Sequence, residues 1–392
     1  MVWNDTNAER ERRKLVREWL TRKRSVVDLA SAYDVDERTV HRTIKRFKEG
    51  GWEGLSERSR ARHTQDATPQ RLVNAIVDAR RAHPNWGART LRFLLLQDQP
   101  DVAWPAPSTI GSILDRAGLI PPRARRRRGT TNAAPCVEAA APNDSWSMDF
   151  KGQFRTRDAV WCYPLTVLDN YSRYFLHCKA LAAPTFKTTW RELVVCFEEH
   201  GLPTAIRSDN GTPFAGNGLT RMSKLAVRLI KLGVLPDYTA PASPQQNGRL
   251  ERLHRTLKQE TASPPAGDRA AQQRRFNSFL DEYNAIRPHQ ALGGKVPADA
   301  HVPSRRKMPK TLPDVVYDEG VVTRRIRTDG SFKWKAETVF LAEPLIDEQV
   351  AFVPIEDGIY MVRFSSYPLA VFDERTKKLF PAGSKPTKGA EG

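Results

Sequence analysis

Residues 146–150 read Trp-Ser-Met-Asp-Phe, and this stretch decides how the rest of the chain is interpreted. Aromatic and apolar side chains on both sides of the carboxylate are typical of a buried strand. A carboxylate in such a strand is costly to bury unless it is paired or bound to a metal ion. Asp149 is therefore the first candidate for a functional residue.

Two further carboxylates stand in distinctive surroundings. Residues 207–211 read Arg-Ser-Asp-Asn-Gly, and residues 244–251 read Pro-Gln-Gln-Asn-Gly-Arg-Leu-Glu on a helix expected to open at Ser243-Pro244. Carboxylates on three different elements can converge, and their hard oxygen atoms suit a pair of Mg²⁺ ions, for which Mn²⁺ could substitute. We predict that Asp149, Asp209 and Glu251 are the catalytic and metal-binding residues of a site that cuts and joins nucleic acid.

Each of these residues also has a simpler interpretation. Asp209-Asn210-Gly211 alone is an ordinary turn, in which Asp bonds its own backbone and Asn-Gly takes positive φ. Glu251 alone would be a solvated helix residue, or would form an intrahelical ion pair with Arg255 worth only about 0.3–0.5 kcal/mol. The order of the three residues and their flanking elements favour the joint site.

The same segments carry a family resemblance. Ser-Met-Asp-Phe at 147–150, Ser-Asp-Asn-Gly-Thr-Pro-Phe at 208–214 and Ser-Pro-Gln-Gln-Asn-Gly-Arg-Leu-Glu at 243–251 resemble the catalytic core of DDE transposases and retroviral-type integrases, most closely the insertion-sequence transposases of the IS481 and IS3 type. Residues 283–293 resemble the end of that core. The spacing from Asp209 to Glu251 is longer than the common family pattern, and the extra residues are expected between 216 and 231.

The resemblance implies a fold, a mechanism and partners. The core would be ribonuclease-H-like, with its first and fourth strands side by side so that Asp149 and Asp209 meet. Arg255 and Lys258 share a helix face with Glu251, where family members contact the DNA end. A small SH3-type β-barrel follows the core in relatives. Holding two transposon ends together requires a homo-oligomer, a dimer or tetramer on DNA.

The composition favours a nucleic-acid partner in an intracellular protein. The 392 residues include 63 Lys and Arg against 45 Asp and Glu, a net charge of +18, so a polyanion is the expected partner. The four cysteines are too widely spaced for zinc pairs, and we predict reduced thiols and no zinc. No stretch is long and apolar enough for a membrane, so we predict a protein that is neither secreted nor membrane-spanning. The resemblance implies a cytoplasmic, nucleoid-associated bacterial protein.

The N-terminal region predicts a helix-turn-helix. Amphipathic segments cover residues 9–19 and 26–33, and Asp36 can cap a third helix with Val40, Ile44 and Phe47 on its apolar side. The opposite face carries the side chains predicted to contact DNA, namely Arg38, Thr39, Arg42, Thr43 and Arg46. A solvated basic face on a structural helix is the alternative.

A second helical module covers residues 69–120, and its last helix is expected to be capped by Ser108. An arginine-rich linker follows it. Phosphate contact is predicted for Arg125, Arg126, Arg127 and Arg128, because clustered positive charges repel one another unless an anion neutralises them. A merely solvated linker is the alternative.

The overall prediction is a multidomain chain. Its fold class is N-terminal all-α helix-turn-helix modules, an α/β ribonuclease-H-like core with a mixed sheet, and a C-terminal small β-barrel of SH3 type. The predicted bounds are 1–56 helix-turn-helix domain, 57–68 linker, 69–120 second helix-turn-helix domain, 121–142 basic linker, 143–300 catalytic core, 301–314 linker, 315–382 barrel and 383–392 disordered tail.

The predicted function is that of a transposase. It would bind double-stranded DNA, both the terminal inverted repeats of a transposon and the target, and catalyse metal-dependent cleavage and strand transfer. The alternatives are a non-catalytic helix-turn-helix regulator derived from a transposase, and a nuclease that only hydrolyses. Three acidic ligands argue against the regulator, and DNA-binding modules on both sides of the core argue against the nuclease.

Overall fold

The structure is a computed structural model that describes residues 8–57, 68–120, 139–239 and 248–384. The chain divides into two compact units, Met1–Thr68 and Pro69–Gly392. In the described residues the α-helices are α1 Ala8–Leu20, α2 Val26–Ala32, α3 Glu37–Gly50, α4 Gln70–Ala82, α5 Ala88–Asp98, α6 Pro107–Arg116, α7 Phe186–His200, α8 Lys224–Lys231, α9 Gly248–Thr261, α10 Arg269–Ala285 and α11 Pro297–Ala300. The strands there are β1 Ser145–Phe150, β2 Phe154–Arg155, β3 Trp161–Asp169, β4 Phe175–Leu181, β5 Ala205–Ser208, β6 Leu235–Tyr238, β7 Val322–Arg325, β8 Ser331–Trp334, β9 Glu337–Phe340, β10 Gln349–Glu356, β11 Ile359–Phe364, β12 Tyr367–Asp373 and β13 Lys378–Pro381.

The first unit is the predicted three-helix arrangement. Asp36 caps α3 as expected, since its Oδ1 accepts a hydrogen bond from the Thr39 amide at 2.7 Å. The apolar faces of α1, α2 and α3 meet around Leu15, Leu29 and Val40, which are fully buried. This packing fixes which side of α3 faces outward.

The second helical module, α4 to α6, packs around Ile76, Trp86 and Leu91. The predicted Ser108 cap is wrong: α6 begins at Pro107, with Ala106 as its N-cap. Proline is well suited to the first turn because its missing N–H would be unpaired there in any case. The predicted start therefore lay two residues too late.

The second module packs against the α/β core through side-chain contacts. His83 Nδ1 lies 3.0 Å from Glu282 Oε1, and Gln97 Nε2 donates to the Gly294 carbonyl at 3.0 Å. Gly294 has φ +96°, and a Cβ there would overlap the ring of Phe93, so glycine is required for this close approach. The second helical module and the core thus belong to one compact unit.

The core is the predicted mixed sheet. β1 pairs antiparallel with β3, and β3 pairs antiparallel with β4. β1 also pairs parallel with β5, and β5 pairs parallel with β6. Helices α7, α9 and α10 pack against the sheet and bury Trp146, Phe197 and Phe276. The predicted proximity of the first strand and the strand before Asp209 is confirmed.

One predicted helix of the core is shorter than expected. The apolar spacing of residues 216–232 predicts a helix over that whole stretch. Helix α8 begins only at Lys224, where the Ser223 side chain accepts a hydrogen bond from the Ala226 amide. The preceding residues form a loop in which the Gly216 amide donates to the Arg221 carbonyl at 2.9 Å. Met222 is buried in this loop, which explains why the apolar spacing continued beyond the helix.

The C-terminal region is β-rich but is not seen as a closed barrel. Its described strands form an open five-stranded antiparallel sheet in the order β13-β12-β11-β10-β7, with β8 and β9 as a separate hairpin. The turn signal of Asp329-Gly330 in the sequence predicts a hairpin between 321–327 and 331–335. This prediction is wrong, because β7 pairs with β10 and β8 pairs with β9. Phe332 of the hairpin packs on Phe352 and Phe372 of the sheet.

The C-terminal sheet shares its apolar core with helix α8. Met222, Val227 and Ile230 belong to the same buried cluster as Phe352 and Phe372. Lys231, at the end of α8, adds an ion pair to Glu348 of 2.9 Å, and its side chain is only 12% exposed. The C-terminal sheet is therefore packed directly on the catalytic core.

Three of the four cysteines lie in the described residues. Cys162, Cys178 and Cys196 are free and buried, as predicted, and burial raises the pKa of each thiol. Within the described part of the chain, no helix has the length and apolar character needed to span a bilayer.

Candidate active site

The sheet brings Asp149 and Asp209 to the same edge. In the parallel pair of β1 and β5, Ser145 lies opposite Ala205 and Ser147 opposite Arg207. Continuing this register places Asp149 level with Asp209, which directly follows the last residue of β5. Because adjacent parallel strands end at the same edge, the two carboxylates are neighbours.

Asp209 lies in the turn that its sequence predicted. Its Oδ1 accepts a hydrogen bond from the Gly211 amide at 3.0 Å, and Asn210 Nδ2 donates to the Thr239 carbonyl at 2.9 Å. The positive φ expected for Asn210 and Gly211 is not observed. A Cβ on Gly211 would lie 3.3 Å from both Asp209 carboxylate oxygens, so a bare glycine keeps this carboxylate uncrowded.

Helix α9 brings Glu251 toward the same edge. Glu251, Arg255 and Lys258 are exposed, and their four- and seven-residue spacing places them on one face. Leu250, Leu253 and Leu257 of the same helix are buried against the sheet. The predicted start at residues 243–244 lies outside the described residues.

The pKa of Asp149 is affected by the charges of the other two carboxylates. The side chain is 27% exposed. Burial, followed by the negative charges of Asp209 and then Glu251, raises the pKa of Asp149 to about 7, although the Phe150 amide and Lys151 act in the opposite direction. The ionised form of Asp149 is disfavoured beside the other two carboxylates, so a nearby positive charge is needed to stabilise it.

A buried hydrogen-bond chain connects the Glu251 helix to the Asp149 strand. The Thr166 hydroxyl lies 2.9 Å from the Asp149 carbonyl and 2.7 Å from His254 Nε2. Because the hydroxyl has one hydrogen and donates it to the carbonyl, His254 Nε2 must be the donor in the second bond. His254 Nδ1 then faces Asp149 Oδ2 at 4.0 Å.

His254 remains neutral in this position. Burial and the positive charge of Lys151 lower the pKa of its imidazole to about 3. A neutral ring with a fixed tautomer suits a positioning role.

Lys151 is a residue that the sequence patterns did not identify. Burial and the nearby positive charge of Lys258 lower the pKa of Lys151, and Asp149 opposes them. Two lysines therefore flank the carboxylates. The available signal was its position, two residues after Asp149 and hence on the same side of an extended strand.

The charges of Asp209 and Glu251 act on Asp149, but the three side chains are not arranged as a metal-binding site. No group of three or more His, Cys, Asp or Glu side chains within residues 8–57, 68–120, 139–239 and 248–384 is arranged to hold a metal ion. The donor chemistry still fits a hard divalent cation, because only carboxylate oxygens converge and their charges repel.

The predicted DNA-contact residues of α3 divide into two groups. Arg38 and Arg42 are exposed, and Thr39 is half-buried. Thr43 is buried and its hydroxyl donates to the Thr39 carbonyl, while Arg46 donates to the carbonyls of Gly54 and Ser56. The outward basic surface of α3 therefore centres on Arg38 and Arg42. Arg125, Arg126, Arg127 and Arg128 lie outside the described residues.

Comparison with known families agrees with this geometry. Two models described as an integrase core domain match residues 139–244 and 232–297. A helix-turn-helix domain model matches residues 11–63, and a homeodomain-like domain model matches residues 39–114. The class is thus a helix-turn-helix protein with a ribonuclease-H-like integrase core.

Individual relatives point in the same direction. An uncharacterized 39.2 kDa protein of insertion element IS476 from Xanthomonas euvesicatoria is 27% identical over 62% of this chain and 69% of its own length. The transposase InsD of insertion element IS2D from Escherichia coli strain K12 is 23% identical over 61% of this chain and 80% of its own length. The chain is thus similar to insertion-sequence transposases, and it carries an integrase core domain.

Two solved viral structures resemble the chain at low identity. The HTLV-2 integrase catalytic core domain in complex with magnesium is 15% identical over 42% of this chain and 99% of its own, with a TM-score of 0.34. The simian T-cell lymphotropic virus intasome with the PP2A regulatory subunit B56 gamma is 16% identical over 79% of this chain and 100% of its own, with a TM-score of 0.38.

Proposed function

We propose that this chain is a transposase that binds the ends of a mobile element and catalyses metal-dependent DNA cleavage and strand transfer. The observation that carries the proposal is the placement of Asp149 and Asp209 at the shared edge of two parallel strands, where Asp209 and Glu251 add to the effect of burial and raise the pKa of Asp149. The integrase core and helix-turn-helix matches support it.

The proposed catalytic and metal-binding residues are Asp149, Asp209 and Glu251. Their carboxylates would hold two Mg²⁺ ions, with Mn²⁺ as a possible substitute. When bound, such ions lower the pKa of a nucleophile and neutralise charge on the phosphate and leaving oxygen. Thr166 and His254 position Asp149 relative to the Glu251 helix.

The DNA would be held by basic residues around the site. Arg255 and Lys258 share the exposed face of Glu251, where cations can contact the phosphates of a DNA end. On the helix-turn-helix, Arg38 and Arg42 are the proposed DNA contacts, and the half-buried Thr39 is a further proposed contact. The arginines at 125–128 would contact phosphates along the linker.

The remaining features of the proposal follow from the reaction. Two ends must be joined in one complex, so we propose a homo-oligomer on transposon-end and target DNA.

The bounds predicted from the sequence remain the proposed domain limits. An SH3-type barrel remains the proposed form of residues 315–382, in which the β8–β9 hairpin covers the open sheet.

A non-catalytic DNA-binding regulator is the second candidate. It is favoured by the helix-turn-helix matches and by the absence, among the described residues, of three side chains arranged to hold a metal. The two candidates differ in one measurable property, because only the transposase joins DNA strands.

The deciding experiment uses the full chain and labelled DNA that carries the element's own ends. Cleavage and joining with Mg²⁺ are expected, with neither in EDTA nor in Glu251→Gln. Glu198→Gln is the matched control, since Glu198 is also an exposed helical glutamate. Specific binding without either reaction would favour the regulator.

The Thr166 link predicts a measurable effect on stability and rate. Thr166→Val leaves the buried His254 N–H without its acceptor, which costs about 1–3 kcal/mol. We expect urea unfolding of the core to shift accordingly and strand joining to slow, because Glu251 is held less firmly against Asp149.

Thr189 provides a matched control for this substitution. Thr166 and Thr189 are both 0% exposed. The Thr189 hydroxyl has no hydrogen-bond partner among the described residues, so Thr189→Val should leave stability unchanged or raise it. Equal losses in the two variants would contradict the proposed link.

A further inference from the structure

A second basic cleft lies on the other side of α9 from Glu251. It has a volume of about 510 Å³ and runs between the first turns of α9, the segment 287–291 and Thr90 of α5. Among the described lining residues, Thr90 belongs to the helical module and the others belong to the core. The carboxylate site does not include this cleft.

The described lining of this cleft is strongly cationic. It contains four arginines, Arg173, Arg249, Arg252 and Arg287, and no Asp or Glu. Arginine is the side chain best suited to phosphate, because its planar fork donates two parallel hydrogen bonds. A cleft with this lining favours an anion.

Two of the arginines are held in place by one acceptor. Arg173 Nη1 donates to the Asn170 carbonyl at 2.5 Å, and Arg249 Nη1 donates to the same carbonyl at 2.9 Å. Positive charges from two distant segments are thus brought together. Such preorganisation lowers the entropic cost of binding a ligand.

The other two arginines differ in their surroundings. Arg287 pairs with Glu260 at 3.1 Å and lies over the ring of Trp86, so part of its charge is neutralised. The guanidinium of exposed Arg252 makes no hydrogen bond or ion pair with the described parts of the chain. Arg252 is therefore the arginine most available to an incoming anion.

The pKa of His289 is affected by the positive charges of the cleft. Burial, then the charges of Arg287 and Arg173, lowers the pKa of its imidazole to about 4. Its Nε2 is buried and has no hydrogen-bond partner among the described residues. The neutral ring adds no charge, so the positive potential of the cleft comes from its arginines.

The two basic faces of α9 point in different directions. With 3.6 residues per turn, the face of Arg249, Arg252 and Thr256 is rotated by about 130° from that of Glu251, Arg255 and Lys258. One phosphate strand cannot follow both faces. A ligand in the cleft is therefore distinct from the DNA end at the carboxylates.

We propose that this cleft binds the sugar-phosphate backbone of a second segment of duplex DNA. The proposal rests on the proposed function, since a strand-transfer enzyme handles more than one DNA segment. Duplex DNA fits better than a small anion because the arginines come from three chain segments beside a helical module. Contact with phosphates would be independent of sequence.

The test measures binding of the full chain to a labelled duplex of mixed sequence over a range of salt concentrations. Arg252→Glu should weaken binding on the order of tenfold at low salt and reduce the slope of log K against log salt by about 0.9, the value for one phosphate that is no longer neutralised. Arg274→Glu is the control, because Arg274 is an exposed helical arginine outside the cleft. Equal affinities and slopes for Arg252→Glu and Arg274→Glu would overturn the proposal.

Cross-linking gives a direct readout. Arg252→Cys in a Cys136→Ser background should form a disulfide by exchange with duplex DNA whose tethered thiol is supplied as an activated mixed disulfide, with release of the activating thiol, since the other three cysteines are buried. Absence of this adduct, when a cysteine placed at Lys258 does form one, would contradict the cleft. Displacement of the duplex by equimolar inorganic phosphate would instead assign a small-anion site and overturn the proposal. The proposal would also be overturned if Arg252→Glu lost affinity for RNA but kept its full affinity for duplex DNA.

The outcome is separable from that of the proposed function. Cleavage and joining by the unmodified chain, together with unchanged binding by Arg252→Glu, would refute the cleft and leave the transposase intact. Weaker binding by Arg252→Glu, when no form of the chain cleaves DNA, would support the cleft and refute the catalytic assignment.

Discussion

Asp209→Ala is expected to lower the rate of metal-dependent strand joining at least about a thousandfold. A metal ligand supplies several kcal/mol of transition-state stabilisation, and each 1.36 kcal/mol corresponds to about tenfold in rate. The measurement is a single-turnover joining assay with pre-cleaved DNA ends. Joining unaffected by this change would refute the role of Asp209.

Asp209→Asn separates the ligand role from the turn role. The amide oxygen of asparagine can still accept the 3.0 Å hydrogen bond from the Gly211 amide, but the negative charge is removed. If Asp209 is a ligand, asparagine is as inactive as alanine. If Asp209 only shapes the turn, asparagine restores activity.

Asp158→Ala is the matched control for Asp209. Asp158 also lies in a turn, where its carboxylate accepts hydrogen bonds from the Thr156 hydroxyl and the Val160 amide. Removing it tests whether loss of a turn carboxylate by itself disturbs the core. We expect Asp158→Ala to join DNA at nearly the normal rate.

Magnesium binding is expected to weaken about tenfold for each pH unit below 7, because the Asp149 carboxyl must lose its proton to act as a ligand. Burial and the charges of Asp209 and Glu251 raise its pKa to about 7. Calorimetric titration in buffers of different ionisation enthalpy should detect close to one proton released per site at pH 6. Binding without proton release would contradict this assignment.

The same group affects stability in the absence of metal. The folded protein holds the Asp149 proton up to about pH 7, whereas the unfolded chain releases it near the usual value of 3.8. The folded state therefore binds more protons between these values, and its stability falls as pH rises through 7. In EDTA at pH 8, Asp149→Asn should melt at a higher temperature than the unmodified chain, although it is inactive.

Asp158→Asn should behave in the opposite direction. Its hydrogen bond from Thr156 lowers the pKa of Asp158, so the charged form is the stabilising one above the usual pKa. Neutralising it should leave the melting temperature unchanged or lower it. A rise in both variants would show a general effect of removing acidic charge rather than crowding at the candidate site.

The sequence predicted the elements whose signals are local. The strand around Asp149, the turn at Asp209 and the Asp36 cap each depend on a few neighbouring residues, and all three are present. The pairing of β1 with the strand before Asp209 came from the family resemblance. That pairing is what placed two carboxylates at one edge.

Long-range partners could not be predicted in the same way. The turn at Asp329-Gly330 suggested a hairpin between its flanking segments, but β7 instead pairs with β10, where Val322 lies opposite Phe352. The loop before α8 kept a helical apolar spacing because Met222 is buried without being helical. In both cases tertiary packing outweighed the local pattern.

Sequence patterns also could not predict the arrangement of Thr166, His254 and Lys151. His254 lies 88 residues from its hydrogen-bond partner, and a threonine in a strand has no distinctive signal. The arginine cleft was missed for the same reason, since Arg173, Arg249 and Arg287 come from separate segments.

The shared core of α8 and the C-terminal sheet has a consequence for damaged copies of such an element. A copy interrupted shortly after the catalytic core would uncover Met222, Val227 and Ile230, an apolar surface that favours aggregation and proteolysis. Such truncated products would be cleared from the cell before they could occupy DNA ends in competition with the intact protein. Interruption within the last strand would instead leave most of this cover in place, so late truncations are the ones expected to persist as inhibitors.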